Sequence, residues 1–363
     1  MSEPVLWRTQ SGHAGKVSGA PLSFRRSPLV KALSCCALLS ALSLVSTVQA
    51  ADSKPATSTY SIESPKAAQG LLLDITHAGK RLVAVGDRGH ILYSDDDGTT
   101  WSQAKVPTTQ LLTAVFFVDD KKGWAVGHDA QILASEDGGA TWTQQFSDLE
   151  REEGAPFLDV WFKDASNGFV VGAYGGLFTT TDGGKTWDDA SDRLDNEDGY
   201  HINAIGAVKD AGLFAVGEMG SMFRSADWGQ TWETLKGPYQ GSLFGVLGTA
   251  EAKTLVVYGL RGNLFRSEDF GQSWKAIALK TTSGALEFGL ANGTLLGDGS
   301  LVVVGHGGSV LKSSDNGRSF SVLNRPDRLS LAGVSSDSKG NLILVGQGGV
   351  HAAAPTGAKL GEQ

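Results

Sequence analysis

Residues 85–101 read VGDRGHILYSDDDGTTW, residues 126–142 read VGHDAQILASEDGGATW, and residues 171–187 read VGAYGGLFTTTDGGKTW. Near-copies at a regular distance have to be explained first, because a period of 20–50 residues decides architecture before any local element does. Aligned on the glycine that closes each β-branched run, the repeat extends to seven units. Those glycines are Gly86, Gly127, Gly172, Gly217, Gly259, Gly305 and Gly346, spaced 41, 45, 45, 42, 46 and 41 residues apart. Each unit divides into four short apolar runs; in the second they are LLTAVFFVD, GWAVG, QILAS and ATWTQQ. Runs of four to nine residues, rich in Val, Leu, Phe and Trp and punctuated by Gly and Asp, read as strands. Four strands per period predict an all-β, seven-bladed β-propeller of four-stranded antiparallel blades. A solenoid of stacked hairpins is the alternative, but ring closure better explains the short seventh unit. That unit, LAGVSSDSKGNLILVGQGGVHAAA (331–354), lacks an outer strand, while TSTYSI (57–62) alternates like a strand ahead of unit one. The expectation is that this N-terminal strand completes the last blade and closes the ring, which removes the exposed edge.

The second half of six units carries Ser/Thr-x-Asp-x-Gly-x-Thr/Ser-Trp or its Phe variant. The copies are SDDDGTTW from Ser94, SEDGGATW from Ser135, TTDGGKTW from Thr180, SADWGQTW from Ser225, SEDFGQSW from Ser267 and SSDNGRSF from Ser313. Asp96, Asp137, Asp182, Asp227, Asp269 and Asp315 are placed to accept backbone N–H groups of their own loops, and the glycine two positions on suits a left-handed conformation. Calcium ligation of the EF-hand kind would require alternating oxygen ligands and a closing Glu at position twelve, which none of the copies has. Six equivalent aspartates around a ring also do not converge on one point, so a structural role is expected for them and no metal.

This pattern is the Asp-box, or BNR repeat, found in sialidases and several other propeller families. Together with VGxxGxIxxSxDGGxTW over seven units, residues 57–354 resemble the photosystem II stability/assembly factor-like family. The resemblance implies a non-catalytic, protein-binding scaffold, lumenal in photosynthetic organisms, that assists assembly or stability of a membrane protein complex. In a host without photosystems it implies an exporter-associated envelope protein. A glycan-binding or sialidase-like glycoside hydrolase is the alternative, since sialidases share fold and repeat. That chemistry needs an arginine cluster, a Tyr–Glu nucleophile pair and an acid. The Tyr/Phe-Arg-Ile-Pro sequence that usually carries the first arginine is absent, and Asn324-Arg325-Pro326-Asp327 does not replace it. The expectation is therefore no enzyme.

The first fifty residues differ in kind. Arg25, Arg26 and Lys31 precede an apolar run from Ala32 to Val48, and Val48-Gln49-Ala50 fits a small-residue cleavage site. This is the layout of a secretory signal, predicting a signal peptide over 1–50, one propeller domain over 51–363 with a short flexible tail at 355–363, and a periplasmic location, lumenal if the host is photosynthetic. An uncleaved membrane anchor is the other reading of the same run. Cys35 and Cys36 are the only cysteines and both lie in this segment, so the remainder would have no disulfide and no thiolate chemistry. It also holds five of the 31 basic and one of the 39 acidic residues, leaving 26 basic against 38 acidic groups, a formal charge of −12. Such a charge disfavours nucleic acid and anionic lipid as partners. No cofactor is implied, no membrane insertion follows signal cleavage, and a monomer is expected.

What remains for function is surface. The turn between second and third strands of a blade shares a face with the loops joining blades. The two residues inside it vary: Asp87-Arg88, His128-Asp129, Ala173-Tyr174, Glu218-Met219, Leu260-Arg261, His306-Gly307 and Gln347-Gly348. Arg88, His128, Tyr174, Glu218, Arg261, His306 and Gln347 are thus the candidate binding rim, expected around one end of the central channel. Two acidic inter-blade segments, 146–156 and 188–200, strengthen the choice of face. The second carries Asp188, Asp189, Asp192, Asp195, Glu197 and Asp198; the two segments read either as solvated loops or as an acidic ledge on blades two to four that steers a basic partner or weakly holds calcium.

Overall fold

A computed structural model describes residues 59–360 apart from 152–153 and 283. The signal segment, and Thr57 and Ser58 of the expected closing strand, lie outside the described residues. Seven antiparallel sheets follow one another along the chain, each in the order inner to outer strand. Their inner strands are Leu72–Ala78, Leu112–Phe117, Phe157–Phe162, Ile202–Val208, Leu243–Gly248, Leu290–Leu295 and Leu331–Ser336. Six sheets have four strands and the seventh has three. A short extra hairpin, Lys280–Thr281 with Gly284–Ala285, is inserted between blades five and six.

Register explains why the repeat keeps its glycines. In every blade the last glycine of the second strand pairs with the first residue of the inner strand, as in Leu72 with Gly86 and Ile202 with Gly217, and a bulge follows. A Cβ on any of these seven glycines would stand 2.1–2.5 Å from the carbonyl oxygen just before the inner strand. Their backbone is extended, so the requirement is close approach of another chain segment and not a left-handed conformation. The next residue then donates its N–H to that same carbonyl: Asp87 to Leu71, His128 to Leu111, Ala173 to Pro156, Glu218 to His201, Leu260 to Ser242, His306 to Gly289 and Gln347 to Ser330, all at 2.9–3.1 Å.

The core is a ring of seven interfaces, each filled from two neighbouring blades. Between blades one and two, Val83 and Ile91 meet Leu112, Phe117 and Trp142. Between two and three, Trp124 stacks on Phe162 at 3.4 Å and 6°. The Asp-box aromatic of each blade inserts against the preceding blade, so Trp142 contributes to the one–two interface and Trp187 to the two–three interface. Burying rings of that size stabilises by about 2–3 kcal/mol each.

Closure differs from the expectation. Residues 59–66 form no strand on blade seven; they run along blade one, where Ser61 N–H bonds the Val106 carbonyl and Lys105 lies over the Tyr60 ring. The ring is sealed by face packing instead: Ile343, Val345 and Val350 of blade seven against Leu72, Ile75, Leu82, Leu92 and Trp101 of blade one. Ser338 and Asp97 bridge the same seam, with the hydroxyl 2.6 Å from the carboxylate. Every blade already buries both faces against neighbours, so the last interface needs no shared strand. The outer side of blade seven is met from the other end. Residues 355–360 turn back, Lys359 pairs with Ala353, and the Arg325 guanidinium holds the Gly357 carbonyl.

Candidate functional site

The seven turns between second and third strands lie on one face, tied down by the carbonyl contacts just described. Their second residue is left-handed: Arg88, Asp129, Tyr174, Met219, Arg261, Gly307 and Gly348 have φ between 52° and 81°. That conformation turns these side chains out of the blade. Arg88 is 79 % exposed at its side chain and pairs loosely with Asp87 at 3.5 Å. His128, Glu218, Arg261, His306 and Gln347 are at the surface too, Glu218 partly covered. Tyr174, Met219, Leu260 and Phe288 keep 55, 60, 39 and 38 % of their surface exposed, in four consecutive blades. Phe288 lies over Gly307, which is why blade six has no side chain at the left-handed position.

Tyr174 and Glu218 are brought together through His201. The tyrosine ring meets the imidazole edge-on at 5.1 Å, and His201 Nδ1 lies 3.7 Å from a Glu218 carboxylate oxygen. Arg261 joins Tyr239 and Gln240 around a separate hollow. None of the rim residues lines the central channel, because the inner strands stand between the turns and the axis.

The channel has its own polar girdle, which the repeat pattern alone does not reveal. At the residue after each bulge, one layer holds Asp74, Ala114, Asp159, Ala204, Gly245, Asn292 and Gly333. Asp74 accepts the N–H of Ile75, the N–H of Val115 in blade two and the amide of Asn292 in blade six. Asp159 accepts the N–H of Val160 and of Ile205 in blade four. Thr113 donates to the Phe157 carbonyl and Asn203 to the Leu243 carbonyl, so side chains stitch blade to blade around the axis.

Both carboxylates are enclosed by protein on the scale that sets ionic solvation, yet each keeps surface open to the channel. Enclosure dominates, and it pushes Asp74 up to about 6 against its hydrogen bonds. Asp159 goes up to about 7 for the same reason, and the Asp74 charge adds to the effect. Asp74 therefore ionises first and then opposes ionisation of Asp159. The sequence signal was an Asp two residues past the start of an inner strand in blades one and three, where blade six has Asn and the others have Ala or Gly.

The sequence profile of the family described as photosynthesis system II assembly factor YCF48 matches residues 98–157 and 144–294, more than half of the chain. The chain belongs to this YCF48 family. No curated protein sequence matches it. Among solved structures, YCF48 bound to D1 peptide is similar at 18 % identity and a TM-score of 0.62, covering 82 % of this chain and 96 % of that one. YCF48 from Cyanidioschyzon merolae is similar at 16 % and 0.61, covering 80 % and 96 %. The GH74 xyloglucanase from Xanthomonas campestris is similar at 13 % and 0.58, covering 80 % of this chain and 53 % of that one. At such identities the likeness is one of fold.

In this YCF48-family ring the six Asp-boxes lie at the end of the blades opposite the rim. In each, the aspartate accepts the preceding Ser/Thr hydroxyl at 2.7–2.9 Å and both the N–H and the hydroxyl of the residue four positions on. For Asp182 the Thr186 N–H and hydroxyl hold the carboxyl down at about 2. These groups are spent on their own turns.

The acidic segment divides. Asp188 and Asp189 form the outer strand of blade three, pairing with Thr179 and Phe178. Asp192, Asp195, Glu197 and Asp198 follow on the loop toward blade four, exposed, with Leu194 buried beneath and Arg193 bonded to the Gly229 carbonyl. Among the described residues no three His, Cys, Asp or Glu side chains are placed to hold one metal ion.

Proposed function

We propose that this chain is a non-catalytic scaffold that binds a segment of a membrane protein on its rim face and assists assembly or stability of the complex containing it. The observation that carries this reading is the run of exposed Tyr174, Met219, Leu260 and Phe288 across four consecutive blades, with Arg261 beside Leu260 in the same turn and Arg88 exposed on the same face in blade one. Apolar and aromatic side chains held outward on rigid turns are what a docking surface requires, and arginines on the same face add polar anchoring. Family membership supports the reading, and so does the fold shared with a YCF48 bound to a D1 peptide. Export to the periplasm, or to a lumen, is part of the proposal and rests on the arrangement of residues 25–50. The acidic loop at 192–198 would steer a basic part of the partner toward the same face.

Crosslinking pull-down from envelope membranes tests this, comparing wild type with Arg88→Ala/Tyr174→Ala/Arg261→Ala. Loss of one or a few membrane proteins from the captured set is expected; an identical set from both proteins overturns it. The glycan-cleaving alternative draws on the fold it shares with a xyloglucanase. Turnover of a sialoside or of xyloglucan by the purified protein would reverse the ranking.

A further inference from the structure

The channel along the ring axis encloses about 600 Å³, a size that admits a small molecule. Residues of all seven inner strands line it, and their charged side chains are two carboxylates, Asp74 and Asp159, with no lysine, arginine or histidine among them. Two carboxyl groups facing one channel without a countercharge are balanced either by protons or by a bound cation. A carboxylate offers about four lone-pair positions. Asp74 has committed three and Asp159 two to N–H donors. The remainder suits the few N–H donors of an ammonium group and falls short of the six to eight oxygens of a calcium shell.

Tyr258 points to a ligand independently of the acids. It is 1 % exposed, lines the channel, and its hydroxyl has no hydrogen-bond partner among the described residues. Unlike the fully buried polar atoms, this hydroxyl keeps its small remaining accessible surface toward the channel, where a ligand reaches it. It sits on the second strand of blade five, opposite Gly245 of the inner strand. A Cβ on Gly245 would lie 2.3 Å from the Tyr258 hydroxyl, so this glycine is the window through which the phenol reaches the axis. Phe116 and Trp161, both half-buried, line the same cavity and add aromatic surface of the kind that attracts cations.

We propose that the channel binds a small organic cation bearing a protonated amine, with its charge on Asp74 and Asp159, the Tyr258 hydroxyl completing the polar contacts, and its carbon chain against Phe116 and Trp161. This site is separate from the rim and does not depend on the reading given to it. The bound cation takes the place of the protons that enclosure keeps on the two acids, so affinity rises with pH.

Isothermal titration of the purified protein with putrescine at pH 8 and low salt tests the assignment. One saturable site is expected, weakened about tenfold or more by Asp74→Asn/Asp159→Asn and several-fold by Tyr258→Phe, which retains the ring. Affinity is expected to fall about tenfold between pH 8 and pH 5.5. Absence of saturable binding at millimolar putrescine overturns the proposal, as does undiminished binding by the double variant. If the double variant does not fold, Tyr258→Phe decides, and unchanged affinity there is a refutation. Calcium that displaces putrescine one for one would overturn the organic class in favour of a metal site.

Discussion

Replacing Asp159 by Asn should change how the stability of this ring depends on pH. In the folded chain Asp159 holds its proton up to about pH 7 and Asp74 up to about pH 6, against 3.8 for an ordinary aspartate. Between roughly pH 4 and 7 the folded state thus binds more protons than the unfolded chain, and stability falls as pH rises. From pH 5 to pH 8 the linkage relation yields a loss of about 3 kcal/mol from Asp159 and about 1 kcal/mol from Asp74. With a urea m-value of about 3 kcal/mol/M for a chain of this size, the midpoint should drop by more than about 1 M across that range. The Asp-box carboxylates have depressed pKa values and so stabilise above pH 3.8, losing that contribution only as pH falls toward 2, outside the window. Relief of net negative charge at low pH acts in the same direction as the buried pair, so the variant provides the decisive comparison. Asp159→Asn should retain about a quarter to a third of the slope while losing about 1–3 kcal/mol at pH 5, because its amide faces the Ile205 N–H that the carboxyl accepted. Urea melts at pH 5, 6, 7 and 8 at constant ionic strength measure both quantities. A wild-type midpoint that is flat or rises with pH would refute the reasoning, as would an Asp159→Asn variant with the wild-type slope.

Other outcomes follow from the packing. Gly217→Ala puts a methyl 2.1 Å from the His201 carbonyl oxygen and should cost about 2–4 kcal/mol, read as a lowered urea midpoint, although alanine is the better strand former. Trp142→Ala empties part of the interface between blades one and two, where the ring is 3 % exposed and meets Phe117 edge-on; about 3–5 kcal/mol of stability should be lost in the same assay. Removing residues 59–66 should leave the ring closed, because the one–seven seam is made by side chains of the blades themselves. Retained far-ultraviolet circular dichroism and cooperative unfolding check this, and collapse to an unfolded chain would restore the closing-strand idea.

The fold was legible because its causes are local and repeated. The glycine of each GxxG-like turn, the aspartate of each box and its following glycine answer to contacts within one blade, so seven similar sentences could be read one at a time. The exposure of the turn residues was legible for the same reason, since a turn exposes what lies inside it. Closure was not. Thr59-Tyr60-Ser61-Ile62 alternates as a strand does, yet pairing depends on which edge is free in three dimensions, and the chain beyond Ala353 folds back onto that edge. Met219, Leu260 and Phe288 became a surface only when consecutive blades set them side by side.

By itself the sequence determined seven strand units, the last of them short, their order, the structural duty of six aspartates and the face on which variable residues gather. Tertiary structure alone decided how the ring is sealed and what lies on its axis. Asp74, Asp159, Asn292 and Tyr258 are separated by 34 to 218 positions along the chain. The two aspartates can be read at one position of an inner strand, but nothing local shows that these four residues meet in one channel. Their character comes from sharing one channel, where burial of the two carboxyls and charges from distant blades act together.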